Sequence, residues 1–347
     1  MLLRRYRIAN FFKLGITMTM VCILCEILLS PQQPPNNDDD ILLLPRKHRR
    51  LPQRKLSNIL DLKKPKHLRL LNLQQPIQNM TKFDCVHTKT KPPFPICVYE
   101  ASKDKYISGA LLSGGIWEPY ITEVFQRALS KYPESTLIDI GANIGYYSLL
   151  AVHMHRSVIA IEPQWDNIQR LHKGAQLSGS LDRIELLHNA LSNTHENVSL
   201  TDNLDNQGGI QVKPIQMGIH ARDKTQVETI IMDDLLQIAD FTQAIIKIDI
   251  EGYECKAMAE AKKFLDKIYV PYIFMEWKQM FTARNEQDSP CPMVAMETLA
   301  KYLTSRGYVP HEARTGFLLN PQLASSAWRI GDLYWRHKSA SRLQADF

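Results

Sequence analysis

The stretch Thr136–Leu150, TLIDIGANIGYYSLL, with Val158–Pro163, VIAIEP, behind it, holds the densest group of residues able to do chemistry in this 347-residue chain. An apolar run leads into Asp139, glycines follow at 141 and 145, an apolar helix start comes next, and a second β-rich run closes on Glu162. Gly141 and Gly145 lack a Cβ, so the turn can take positive φ and the backbone can come against a ligand. The helix N-terminus beyond them presents unpaired N–H groups. An acid that closes the second strand of such a unit commonly bonds ribose hydroxyls, which makes Glu162 the ribose candidate. A nicotinamide-type turn would read G-x-G-x-x-G against a pyrophosphate. Position 143 is Asn here, so the turn departs from that pattern.

Further stations follow downstream: LHNALS at 187–192, VETIIMDDL at 227–235, IIKIDIEGYE at 245–254 and IFMEW at 273–277. Lys247, Asp249 and Glu251 alternate on an otherwise apolar strand and so point to one face. Unpaired charges there would be expensive. Either they pair among themselves and with Asp139, Lys247 bridging a carboxylate inside the fold, or the strand end opens on an active site. Glu251 could instead start the next helix, where a carboxylate favours the positive dipole end.

In this order the motifs resemble the FkbM family of S-adenosylmethionine (SAM)-dependent methyltransferases, in particular its animal, membrane-anchored members, over roughly 114–277. The resemblance implies a Rossmann-like class I methyltransferase sheet of seven strands and O-methylation of hydroxyl groups, in several members those of sugars. By motif match Asp139, Gly141, Asn143, Gly145 and Glu162 would line the SAM pocket, with Asn189 and Ala190 near the adenine. The helix after Glu162 departs from the family, with LHKG at 171–174 where many members have an Asn-rich end. Transfer to an alcohol needs in-line approach and a group to take the hydroxyl proton. Asp249, Glu276 and Glu251 are the candidates, with His188 behind them. Trp117 and Trp277 adjoin motifs and could stack on a sugar. Asp249 and Glu276 could share Mg²⁺, but no third ligand is evident, so no metal site is expected.

The elements that must hold these residues alternate strand and helix from about residue 120 to the end. Strands are predicted at 137–140, 158–162, 184–188, 229–232, 244–250, 272–277, 308–310 and 332–335, which argues for an α/β fold with a mostly parallel sheet and helices on both faces. An amphipathic helix over 120–131 turns Ile121, Val124, Phe125, Ala128 and Leu129 to one side. Residues 81–119 read as a small cap and 120–347 as the methyltransferase domain.

The formal charge of +6 divides unevenly: residues 1–80 hold 14 Lys/Arg and 5 Asp/Glu, and the rest holds 28 and 31. The folded part is mildly acidic and lacks the basic footprint of a nucleic-acid enzyme. Basic residues precede an apolar run at 14–29 that is broken only by Glu26, which suggests a short cytosolic tail (1–13), a signal anchor and a lumenal catalytic part, with a cleaved signal peptide or a buried core helix as the other readings of the run. Seven prolines and basic clusters over 31–80 suggest that residues 30–80 form a flexible stem. Sequons at Asn79 and Asn197 agree with a secretory location. Cys85 and Cys97 flank a Pro-rich turn and could form a disulfide in an oxidising lumen. Cys22 and Cys25 fit lipidation or packing, and Cys255 and Cys291 read as buried free thiols. The expected protein is thus a Golgi type II membrane enzyme that methylates a glycan hydroxyl with SAM. A lipid or small-molecule hydroxyl as acceptor, or a non-catalytic binding protein that keeps the fold, are the other readings.

Overall fold

The computed structural model describes residues 67–75, 82–201, 212–214, 226–238 and 240–343. The expected tail, anchor, Cys22, Cys25, most of the stem and the Asn79 sequon lie outside the described residues. Among the described residues no helix is long and apolar enough to cross a membrane.

A hairpin, β1 (Asp84–His87) and β2 (Pro95–Val98), pairs Cys85 directly opposite Cys97, and the two are disulfide-bonded. Two helices follow, α1 (Ile107–Ser113) and α2 (Pro119–Lys131). Pro119 opens α2 at a position where a missing N–H costs nothing, and the helix buries Ile121, Phe125, Ala128 and Leu129.

The alternating part begins with β3 (Thr136–Ile140), α3 (Tyr146–His153), β4 (Val158–Ile161), α4 (Trp165–Leu177) and β5 (Ile184–Leu187). The chain then leaves the main sheet for a smaller one made of β6 (Ala190–Leu191), β7 (Asn197–Leu200), β8 (Val212–Pro214) and β9 (Gln226–Ile230). It returns as β10 (Ala244–Ile248), α5 (Glu254–Ala259), α6 (Lys262–Lys267), β11 (Tyr272–Glu276) and α7 (Lys278–Ala283). It ends with α8 (Met293–Ser305), β12 (Tyr308–Glu312), the short α9 (Ala324–Ala327) and β13 (Asp332–His337).

The main sheet has seven strands in the order β12-β13-β11-β10-β3-β4-β5. The five from β11 to β5 are parallel, and β13 runs antiparallel between β11 and β12. This is the seven-strand, mostly parallel Rossmann-like sheet. One expected strand is placed elsewhere: the 229–232 run is not a member of it, since Gln226–Ile230 pairs in the smaller sheet. A short β-branched run looks the same in either sheet, and only its partners decide which one it joins.

Residues on β3 and β10 are buried on both faces, as central parallel strands require. Ile138, Ile140, Ile246 and Ile248 enter one apolar core together with Met275, Met280 and Trp335. Leu137, Ile245, Tyr272 and Phe274 enter the other, beneath α2, α3 and α4. The period of two along each strand separates the two cores.

Two expectations are corrected here. Cys255 and Cys291 are not free thiols but form a disulfide that ties the start of α5 to the segment before α8. Thirty-six residues separate them, and nothing in the local sequence announces that the fold brings them together. The expected flexible stem, 30–80, also includes folded structure at 67–75. Leu70 bridges Leu187, Leu71 N–H donates to Leu186 O (2.9 Å), and Leu73 is buried. Residues 67–75 thereby cover the edge that β5 would otherwise present.

Candidate active site

The sheet changes direction between β3 and β10, where successive strands are added on opposite sides. Ligands of open α/β sheets bind beyond the C-terminal strand ends at such a switch point. A cavity of about 420 Å³ lies there, lined by Gly141, Asn143, Glu162, Asn189, Ala190, Asp249, Glu251, Glu276 and Trp117 among others. That is within the range of pockets that enclose a nucleoside-sized or drug-sized ligand.

The turn after β3 is built by close approach. Gly141 has φ +79°, and a Cβ on it would sit 1.9 Å from Asp249 O. The backbone there is pressed against the end of β10, where Asp249 N–H donates to Ile140 O at 3.0 Å. Gly145 has φ +92°, yet it does not line the cavity, and a Cβ there would meet Leu171 Cγ at 2.6 Å. The expected ligand contact of Gly145 is therefore corrected: this glycine is needed where α3 packs on α4.

Glu162 closes β4 and is 4% exposed. Its carboxylate accepts from Asn143 N–H (2.7 Å), Gln164 N–H (2.8 Å) and Asn167 Nδ2 (3.3 Å). Asn143 takes φ +52°, a left-handed conformation that Asn tolerates better than most residues. Burial raises the Glu162 pKa to about 7 against the opposing pull of the hydrogen bonds from Gln164 and Asn143. A carboxylate has about four acceptor positions, so room remains for a hydroxyl donor.

Asn189 lines the cavity, and its side chain is anchored on neighbouring backbone. It accepts from Arg69 N–H and donates to His67 O and Glu228 O, each at 2.9 Å. Both its amide N–H groups are engaged, so towards the cavity only Oδ1 keeps acceptor capacity.

The opposite end of the cavity is acidic. Lys247, 2% exposed, lies beside Asp139 across the β3–β10 register and pairs through Nζ with Asp249 Oδ2 at 2.9 Å. Burial opposes the ammonium charge, but Asp249, Glu118 and Asp332 outweigh it, and the lysine pKa is raised. Asp139 accepts from Ser148 Oγ at 2.6 Å on α3, and burial lifts its carboxyl to about 6. Glu276 is partly buried at the end of β11, with its Oε2 enclosed and unpaired, and burial together with Asp249 and neighbouring acids drives its pKa well up. Glu251 takes φ +56°, and burial with the Asp249 charge moves it to about 7. The expectation that Glu251 opens the next helix passes to Glu254, whose Oε1 accepts from Ile250 N–H (3.0 Å) and Gly252 N–H (3.4 Å).

Two acids of this site were not among the sequence candidates. Glu118 sits just before Pro119 with φ +41°, an uncommon conformation for a residue other than glycine. Tyr147 O–H donates to its Oε2 at 3.0 Å, and burial raises its pKa to about 8. Asp332, opposite Glu276 in the β11–β13 register, accepts from Tyr120 O–H at 3.1 Å, and burial raises it to about 6. A signal for each existed, an acid before the helix-starting proline and an acid at a strand start, but only the sheet brings them to Lys247.

The two tryptophans part company. Trp117 lines the cavity. Trp277 is fully buried against Trp328, with centroids 4.9 Å apart, and does not line it, so its expected role as a substrate platform is withdrawn. The residue after a strand-end acid points away from the cavity for the same period-of-two reason that aims Glu276 into it. His188 bonds Pro163 O at 3.0 Å through Nε2, and burial lowers its pKa, so it serves packing.

Residues 139–310 match the family model of the Methyltransferase FkbM domain. No curated protein matches the sequence. Among solved structures, a methyltransferase FkbM from Methylobacillus flagellatus KT aligns at 18% identity and TM-score 0.38, over 63% of this chain and 48% of that one. An O-methyltransferase from Bacillus cereus in complex with SAH aligns at 10% identity and TM-score 0.35, over 65% and 94%. A putative RNA methyltransferase from Pyrococcus horikoshii aligns at 13% identity and TM-score 0.30, over 63% and 84%. The chain spans about half the length of the first of these, and similarities of this size carry no ligand or reaction across. The motifs from Asp139 to Trp277 all fall within the FkbM match, whereas Glu118 and Asp332 lie outside its limits.

Proposed function

We propose that this FkbM domain is a SAM-dependent O-methyltransferase whose acceptor is a sugar hydroxyl of a glycan. The observation that carries the reading is the Lys247–Asp249 pair, set among carboxyl groups at one end of a cavity whose other end is closed by Glu162. The donor set suits the cofactor: Glu162 retains acceptor capacity for ribose hydroxyls, and an acid-rich wall favours a sulfonium cation. When bound, the cofactor supplies an electrophilic methyl group.

Asp249 is one-third exposed and held by Lys247, so it can orient an acceptor hydroxyl and take its proton. Glu118, at about 8, and Glu276, whose pKa lies well above the usual carboxylate value, keep protons near neutrality and can donate hydrogen bonds. A wall offering both donors and acceptors suits a polyhydroxylated, uncharged acceptor. A lipid acceptor would call for an apolar cleft, which favours the sugar reading over it. Trp117 at the rim offers a stacking face.

The proposed location is the Golgi membrane, type II, with the domain lumenal and attached through residues 14–29. The two disulfides, Cys85–Cys97 and Cys255–Cys291, and the exposed Asn197 support an oxidising, glycosylating compartment. The test is calorimetric titration of the full chain in detergent with SAM and S-adenosylhomocysteine, followed by mass-shift screening of glycan acceptors. Binding of both ligands and a 14-Da gain on a sugar, the mass of about one CH₂, are expected. A folded protein that binds neither would overturn the enzyme reading. Methylation of lipid but not glycan would overturn the acceptor.

A further inference from the structure

Three side chains far apart in the chain meet beside the smaller sheet, outside the cavity: His67, His195 and Asp234. Asp234 Oδ1 is 3.3 Å from His67 Nε2, and Oδ2 is 2.7 Å from His195 Nε2. The two imidazoles stack with centroids 4.0 Å apart, and one ligand atom from each of the three residues lies within 4.8 Å of the others. His67 Nε2 is buried, and although it faces the carboxylate it makes no hydrogen bond. Asp234 is itself 5% exposed, and Ile231 N–H fixes its Oδ2 at 2.9 Å.

We propose that His67, His195 and Asp234 are the protein ligands of a divalent transition-metal ion of the zinc type, and that this ion clips residues 67–75 to the methyltransferase domain. Two imidazole nitrogens and one carboxylate oxygen form a borderline donor set that suits Zn²⁺. Metal–ligand bonds of about 2.0–2.2 Å in a tetrahedron put ligand atoms roughly 3–3.5 Å apart. The separations of 2.7 and 3.3 Å, one to each carboxylate oxygen, straddle that value, and the two ring nitrogens, within 4.8 Å of each other, would tilt out of their stack to share one ion. The exposed flank of His195 leaves the fourth position to water. The Ile231 N–H acts as the outer support that orients a ligating carboxylate. An ion there also gives the buried His67 nitrogen the partner it lacks.

The placement gives the ion a purpose. The segment it would hold is the one that covers the β5 edge, through Leu70, Leu71 and the His188 N–H bond to Arg69 O at 2.9 Å. Asn189, a wall of the cavity, is anchored on the backbone of His67 and Arg69. A clip at His67 therefore fixes the backbone on which that wall residue is anchored. The inference is independent of which acceptor the cavity takes.

The test uses the full chain stripped with chelator and titrated with Co²⁺. The expected result is one equivalent bound with the visible absorption of low-coordinate cobalt, displaced by Zn²⁺, and loss of that band in both His67→Ala and His195→Ala. Thermal unfolding in chelator keeps the variants interpretable, since each should unfold where the stripped wild type does. Absence of the band, or a band that survives both substitutions, overturns the site. Limited proteolysis ahead of His67 reads the clip: Zn²⁺ should slow cleavage in the wild type and leave both variants unchanged. Binding without that protection overturns the clip.

Discussion

Glu162 serves both the fold and the proposed ligand, and Glu162→Gln separates the two. The substitution keeps the volume but turns one oxygen into an amide nitrogen, so either the Asn143 N–H, now at 2.7 Å, or the Gln164 N–H, now at 2.8 Å, faces another donor. A buried donor left unpaired costs about 1–3 kcal/mol. Removing the charge acts the other way. Burial raises the carboxyl from 4.5 to about 7, and at about 1.4 kcal/mol per pKa unit its ionised form costs the folded state roughly 3 kcal/mol above neutrality. The two effects nearly cancel, so the thermal midpoint should move little. Affinity has no such compensation: hydrogen bonds from ribose hydroxyls to a charged acceptor contribute about 1.5–3 kcal/mol each, a loss of roughly ten- to hundredfold. The pH dependence carries the sign. Because the folded pKa is raised, the stability this group contributes is complete below about 4.5 and is lost as pH rises through about 7. Cofactor affinity should run in the opposite sense, rising through about pH 7 as the better acceptor forms. Calorimetric titration of both proteins with SAM on either side of neutrality, with thermal unfolding in parallel, is the assay. A variant that binds within threefold of the wild type, or that keeps the same pH dependence, would refute the assignment.

Four other substitutions follow from the same geometry. Asp249→Asn should bind SAM within a few-fold of the wild type and lose about 10²–10⁴ in kcat; an active variant would remove Asp249 as the base. Lys247→Met leaves Asp249, Glu118 and Asp332 without their shared cation and should cost about 3–5 kcal/mol in urea unfolding, so a loss below about 1 kcal/mol would show that the cluster is not held by charge pairing. Trp277→Ala should cost about 3–5 kcal/mol of stability, while Trp117→Ala should chiefly raise the acceptor KM; the reverse pattern would reinstate Trp277 as the platform.

Local pattern reaches some parts of this protein and not others. Runs such as TLIDI and AIIKI are mostly apolar and are buried on both faces, so they read as central strands wherever they pair. The 229–232 run has the same composition yet joins the smaller sheet, because strand membership is a property of partners. Gly141 and Gly145 look equivalent in the motif, but one is pressed on the β10 backbone and the other on a leucine of α4. Cys255 and Cys291 carry no sign of each other in sequence and are joined in space.

The amino-acid sequence by itself determined the strand–turn–helix–strand unit from Asp139 to Glu162, the alternation that builds the sheet, and the acids at 249 and 276, because periodicity, glycine placement and strand-end charge are local. Only the tertiary structure decided that Glu118 and Asp332, from either side of the FkbM match, surround Lys247. It alone decided that Trp277 belongs to the core and that His67 meets His195 and Asp234. Those outcomes depend on which strand ends share an edge and which segment covers β5, and neither is a property of any single stretch of chain.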